Sequence, residues 1–324
     1  MKVSIGSNIV KGPWGGGNLF AINLSEYLVS NGHNVVYDLN DNDIDIILLT
    51  DPRKSSESSA FTHKEILKYK KKVNKDTLVV HRINECDQRK NTKGLNKKYI
   101  KINNKVSDYT IFVSEWLYKI YVEDGFSNKN YKVILAGANK LIFNNLNGIN
   151  YDNSKKLKIV THHWSNNWNK GFDIYTKLDN LLNDTYWDSR YEFSYIGNIP
   201  KNLKFKNCTV IPPLSGNKLA SQLKQSHLYL TASINEPSGN HHIEAAQCGL
   251  PVLYLESGGM PEYCKNYGLA FEYDNFEEKL ELIRSSFLEY KNKVNSYKYN
   301  SDDMSESFLN VFKYLLENKE RIDK

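Results

Sequence analysis

The stretch Glu236-Pro-Ser-Gly-Asn-His-His-Ile-Glu244, continuing as Ala-Ala-Gln-Cys-Gly-Leu-Pro-Val252, decides how this chain is read. It follows a β-rich run, His227 to Ala232, and leads into a short helix. Asn240 stands where an N-cap belongs, Gly249 where a helix stops, and Leu250–Leu255 reads as the next strand. A strand–loop–helix of this kind presents backbone N–H groups and the positive end of a helix dipole, a seat for an anion. Glu236, before the helix, and Glu244, about one turn inside it, flank that seat with carboxylates. A phosphate with hydroxyl-rich groups on either side satisfies all three features. That is the chemistry of a nucleotide sugar.

Together with Gly258-Gly-Met-Pro-Glu262, the run resembles three signatures of the retaining group 1 (family 4) glycosyltransferases: E-x7-E, EA-x-x-x-G-x-P and GG-x-x-E. Two carboxylates at this spacing are common by themselves; the glycines and proline in order make the likeness specific. The resemblance implies an α/β chain of the GT-B fold, two Rossmann-like doubly wound domains facing a cleft. It also implies an enzyme, a hexosyltransferase-type glycosyltransferase, that moves a sugar from a UDP- or GDP-sugar to a hydroxyl of a glycan, lipid-linked or other acceptor.

The bulk properties agree with that class. A chain of 324 residues suits about two domains. A 40% hydrophobic and 25% charged composition is that of a soluble globular protein. No apolar run approaches the roughly 20 residues that span a bilayer. Met1-Lys-Val-Ser-Ile-Gly6 reads as a first strand and not as a signal peptide, so the expected location is cytoplasmic, with peripheral contact at the inner face of a membrane. Cys86, Cys208, Cys248 and Cys264 read as free thiols without zinc spacing. The net charge of +6 sits in the first half: residues 1–150 hold 22 Lys and Arg against 15 Asp and Glu, the rest 21 against 22. The excess clusters in Lys64–Lys75 and Arg89–Lys105, which either attract an anionic membrane or acceptor or form a solvated lysine surface. Aromatic residues do not interleave with these runs, so nucleic acid is not an expected partner.

Strand and helix signals alternate along both halves, as in parallel doubly wound sheets. Strands are expected at Val3–Ile5, Val35–Leu39, Ile44–Thr50, Thr77–His81 and Tyr109–Val113, with a helix over Asn18–Val29 and another from Glu115, capped by Ser114. Asn144–Ser154, rich in Asn and Gly, reads as a linker, and the alternation restarts at Leu157. The expected domains are therefore 1–148 and 154–302. The resemblance adds that a C-terminal helix, about 303–324, packs back on the first domain.

Candidate site residues follow from the motifs. Asn169-Lys-Gly-Phe-Asp173 resembles the family's K-G-x-D, which makes Lys170 the ligand of the donor phosphate, a point charge for a diphosphate. The arginine that the family often carries about five residues earlier is Ser165 here, and His162 and His163 are the nearby groups that could stand in. The resemblance assigns Glu236 to the donor sugar, Glu244 to the ribose, and the backbone of Ser238, Gly239 and Asn240 to the donor. It makes His81, at the end of an expected strand, the active-site histidine beside Glu236. Gly16 and Gly17 open a helix where backbone can approach the donor closely, and Trp14 and Gly15 lie on the acceptor side. No cofactor and no metal is expected: Asp43-Ile-Asp45 falls inside an expected strand and reads as a chance D-x-D. Two other classes stay open. A dinucleotide-dependent oxidoreductase would use Gly15–Gly17 and Asp38 but lacks G-x-G-x-x-G, and a non-catalytic glycan or nucleotide-sugar binder would explain the absent arginine.

Overall fold

The computed structural model describes residues 1–10, 12 and 15–319. These fall into two compact units, Met1–Ala136 together with the C-terminal stretch from Ser301, and Gly137–Asn300. The residues 137–148, expected with the first domain, belong to the second unit. Lys224 Nζ donates to Asn144 Oδ1 at 2.8 Å and the Ile149 amide donates to the Lys224 carbonyl, while Ala138 bridges Asn300.

The first unit holds a six-stranded parallel sheet built from β1 (Lys2–Ile5), β2 (Asn34–Val36), β3 (Ile46–Leu49), β4 (Leu78–Ile83), β5 (Tyr109–Phe112) and β6 (Tyr131–Val133), in the order β2-β1-β3-β4-β5-β6. Every residue of β3 and β4 is buried, as expected of parallel strands covered on both faces. On one side, the helix Gly16–Ser30 packs against the helix Ser301–Glu317, with Phe20 and Phe308 rings 5.1 Å apart. The first of these helices ends where Gly32 takes a positive φ of 78°. Further on, Ser114 Oγ accepts the Leu117 amide and starts the helix Glu115–Glu123.

The second unit repeats the plan with β7 (Leu157–His163), β8 (Tyr191–Gly197), β9 (Thr209–Ile211), β10 (Leu228–Thr231), β11 (Val252–Leu255) and β12 (Gly268–Phe271), ordered β12-β11-β10-β7-β8-β9. Its core joins Leu157, Ile159, Phe172, Tyr175, Phe193 and Leu230 across the sheet and the helix Phe172–Leu181. The strand order reverses between β7 and β10, which are neighbours in space but far apart in sequence. At such a switch point the loops leaving the two strands diverge to opposite faces and open a crevice at their carboxyl ends. Among the described residues no helix is long and apolar enough to cross a membrane.

Candidate functional site

The crevice of the second unit is made by the segments that leave β7 and β10. After β7 the chain runs through Trp164–Asn169 into a 3-10 turn, Trp168–Lys170, and then the helix Phe172–Leu181. Gly171, between them, has φ +106°, and a Cβ there would lie 2.6 Å from the Ala232 Cβ just past β10. Only glycine permits both that conformation and that approach. The Ile234 amide donates to the Asn169 carbonyl at 2.8 Å, which fastens the two loops together. Lys170 Nζ consequently meets Glu236 Oε2 at 2.5 Å, with both side chains buried. The second glycine motif secures the other side of Glu236. Gly258 has φ +67°, a Cβ there would come within 2.5 Å of the Glu236 carbonyl oxygen, and the Gly259 amide donates to that same oxygen.

Glu244 lies in the helix Asn240–Gln247, whose cap is Gly239 and not Asn240. The Gly239 backbone passes so close to His241 that a Cβ there would clash with the ring at 2.3 Å, which suits that cap to glycine. The Gly239 amide donates to His242 Nε2 at 3.3 Å, so it is not offered outward. The first amides of the helix itself, from Asn240 onward, are the ones left without intrahelical acceptors. Ser238 is tied down as well, its Oγ accepting the Tyr263 hydroxyl at 3.0 Å.

Four histidines line the floor of this region. His162 Nε2 pairs with Glu244 Oε2 at 2.9 Å, bridging β7 to the helix after β10. The His163 ring bonds the Tyr175 hydroxyl at 2.7 Å, and the His241 ring bonds Thr231 Oγ1 at 2.9 Å. The ring centroids of His163 and His241 lie 4.6 Å apart, those of His241 and His242 5.0 Å. Burial pushes the pKa values of His163 and His241 well below the usual range, helped by nearby Lys170, and takes that of His242 down to about 3. At neutral pH these three rings are uncharged. His163 therefore supplies no cation in place of the arginine that Ser165 replaces, and His162 is engaged with the carboxylate of Glu244.

These buried rings set a pH dependence. The unfolded chain binds protons below about pH 6.5, whereas His242 and, in the first unit, His81 stay neutral to about 3. Stability present above pH 6.5 is lost as the pH falls toward 3. Chemical denaturation at about pH 7 and pH 5, a window above most carboxylate titration, is expected to show lower stability at the lower pH. Equal stabilities would contradict the buried, neutral state of these rings.

The expected first-domain residues fare differently. His81 does not end its strand: β4 continues to Ile83, and His81 lies inside it, paired in register with Leu49 and Thr110. Its side chain is fully buried, next to Asn103 Nδ2 at 3.3 Å and the Tyr99 ring, and Nε2 has no partner among the described residues. Burial lowers its pKa to about 3. The ring is thus enclosed in the core of the first unit. Gly15 caps the helix Gly16–Ser30, and among the described residues, chain neighbours and the helix's own backbone apart, no atom lies within 4 Å of where a Cβ would sit on Gly15 or Gly17. Trp14 lies outside the described residues. Asp43 and Asp45 precede β3 and are not within it; Lys2 Nζ pairs with Asp43, and the Lys2 amide donates to Asp45. Among the described residues no group of three or more His, Cys, Asp or Glu is placed to hold a metal. The His162–Glu244 pair and the neutral floor of His241 and His242 had no motif to announce them; the only signal was two His-His pairs at strand and helix ends.

Residues 192–304 match the family model of the glycosyl transferases group 1, a span that includes Glu236, Glu244 and Gly258–Glu262 but not Lys170. Over 108 residues the chain is 30% identical to the phosphatidylinositol N-acetylglucosaminyltransferase GPI3 subunit of Saccharomyces cerevisiae, a stretch that is 30% of this chain and 24% of the yeast protein. The chain thus spans about a quarter of the length of that curated relative. Among solved structures it superposes on Anabaena HepE in complex with UDP-glucose, with a TM-score of 0.65 over 99% of both chains at 13% identity. It likewise superposes on a glycosyltransferase from Rickettsia africae, with a TM-score of 0.71 over 98% of both chains at 16% identity. At such identities the superpositions carry the fold alone. The chain has the GT-B fold, and its residues 192–304 are similar to the group 1 glycosyl transferases.

Proposed function

We propose that the chain is a family 4 glycosyltransferase that transfers a sugar from a UDP- or GDP-sugar to a hydroxyl acceptor with retention of configuration and without a metal. The observation that carries this reading is the convergence of Lys170, Glu236 and Glu244 at the β7–β10 switch point, beside the start of the helix Asn240–Gln247. Glu244, oriented by His162, accepts hydrogen bonds from the two ribose hydroxyls, and Glu236 does the same for the donor sugar. Lys170 and the Asn240 end of the helix take up the charge that grows on the leaving diphosphate as the glycosidic bond breaks. The diphosphate oxygen receives the proton of the attacking acceptor hydroxyl, and the acceptor oxygen bonds to the anomeric carbon on the face that the diphosphate leaves. The acceptor is a glycan or a lipid-linked hydroxyl. The lipid form is supported by the likeness to the yeast phosphatidylinositol N-acetylglucosaminyltransferase subunit and by the lysine-rich helix His63–Lys72, which suits peripheral contact with an anionic membrane at its cytoplasmic face.

Calorimetry with UDP and GDP on the wild type and Glu244→Ala tests the donor site. The substitution is expected to weaken the preferred nucleotide by about 1–3 kcal/mol through lost hydrogen bonds to a charged group. Equal affinities would remove the ribose assignment. Turnover of the matching nucleotide sugar in EDTA, with the product anomer read by proton NMR, tests the rest. Loss of transfer in EDTA, or an inverted anomer, would overturn the mechanism.

A further inference from the structure

A second concave site lies in the first unit, where segments leave the carboxyl ends of β3 and β4, which are adjacent parallel strands. It is a pocket of about 380 Å3 whose walls carry Arg53, Lys90, Lys93 and Lys98, with Thr92 and Gly94 between them. Carboxyl ends of strands are where open parallel sheets take ligands, and the volume falls at the small end of the roughly 300–1,000 Å3 of small-molecule sites. The backbone is shaped for this convergence. Asn91 with φ 51° and Gly94 with φ 88° fold the chain between two helices, so that Lys90, Lys93 and Lys98 reach one pocket from successive turns.

The acids of the neighbourhood are already engaged. Asp51 accepts two bonds from Arg53, at 2.9 and 2.7 Å. Glu85 accepts from Arg89 at 2.8 Å and lies 3.5 Å from Lys90. Asp87 accepts the amides of Gly94, Leu95 and Asn96 and the Thr92 hydroxyl, which closes the start of the helix Leu95–Val106 with a carboxylate. The helix amides are therefore spent, and what the pocket offers is side-chain charge. Lys93 and Lys98 make no ion pair among the described residues and are exposed. The positive field extends to His63, whose pKa is lowered by burial and then by Lys64, Lys105 and Lys98. Two uncompensated ammonium groups beside a guanidinium held in a fixed orientation by Asp51 match a phosphate, which accepts hydrogen bonds from several directions.

We propose that this pocket binds a phosphate group, free in solution or at the head of a lipid, and that in turnover it holds the phosphate of an anionic acceptor. Only the second clause rests on the transfer reaction proposed above. The test uses the full chain at low ionic strength. Inorganic phosphate is titrated while the amide NMR shifts of Thr92–Leu95 are followed, and UDP affinity is measured in parallel. Lys93→Ala/Lys98→Ala is compared with the charge-conserving Lys93→Arg/Lys98→Arg, each checked for an unchanged melting temperature. Saturable shifts in the wild type and the arginine variant, weakened at least fivefold in the alanine variant with UDP affinity unchanged, are the expected result. Absence of shifts at Thr92–Leu95, or equal phosphate affinity in the alanine variant, would overturn the proposal. Flotation with phosphatidylcholine vesicles, with and without phosphatidylglycerol, separates the two sources. Phosphatidylglycerol-dependent flotation that the alanine variant loses points to a lipid headgroup, and indifference to phosphatidylglycerol with the phosphate shifts intact points to a soluble phosphate. If neither UDP nor GDP binds any of the proteins, the transferase reading fails while the phosphate result still decides the pocket.

Discussion

Lys170→Met is expected to lower the stability of the second unit by about 3–5 kcal/mol and to abolish turnover. The stability term comes from Glu236, whose carboxylate is buried and bonded at 2.5 Å to Lys170 Nζ; removing one partner strands the other in a place that water barely reaches. The turnover term has a different origin, the lost cation at a leaving diphosphate, and the two separate in a double-mutant cycle. Lys170→Met/Glu236→Gln removes the stranded charge, so most of the stability is expected to return while turnover stays absent. Denaturant midpoints on the four proteins measure the first term and transfer assays the second. A Lys170→Met protein as stable as the wild type would show that the pair is open in solution. A double variant that regains turnover would remove Lys170 from the chemistry.

The parts of the fold that were legible in the sequence are those in which a local rule operates alone. Strand–helix alternation announced two parallel sheets, and the motif likeness singled out Gly258-Gly-Met-Pro-Glu262, although not the close backbone contact that the structure places between Gly258 and Glu236. Strand ends were harder to read. A parallel strand covered on both faces is a continuous apolar run with no alternation to mark its limits, so His81 was placed at an edge when β4 continues two residues beyond it. Along a strand each step also reverses the face: Arg82, next in sequence, lies 3.9 Å from the Phe20 ring of the helix Gly16–Ser30, while His81 meets Asn103 of the helix Leu95–Val106. The His162–Glu244 contact joins residues 82 apart, and only the adjacency of β7 and β10 brings them together. The need for glycine at the Gly239 cap has the same character, since the His241 ring that crowds it is held by Thr231 at the end of β10.

Gly171→Ala and Gly17→Ala are expected to act in opposite directions on stability. At Gly171 the backbone has φ +106° and an added Cβ would lie 2.6 Å from the Ala232 Cβ and 2.7 Å from its carbonyl carbon. The left-handed conformation alone costs about 1–2 kcal/mol for an alanine, and relieving the overlap requires the loops after β7 and β10 to separate. That separation moves Lys170 away from Glu236, so a loss of about 3 kcal/mol or more is expected together with loss of turnover. Gly17 lies inside the first turn of the helix Gly16–Ser30, and among the described residues outside that turn no atom lies within 4 Å of where its Cβ would sit. There an alanine lowers the entropy of the unfolded chain and is expected to stabilise by roughly 0.5–1 kcal/mol. The same variant decides whether a substrate approaches the backbone at Gly17. If a substrate approaches the backbone at Gly17, Gly17→Ala raises stability and lowers kcat/KM; if only solvent does, kcat/KM is unchanged. Denaturation curves and initial rates on the two variants supply both readings. A Gly171→Ala protein with wild-type stability would sink the steric account of how Lys170 is held.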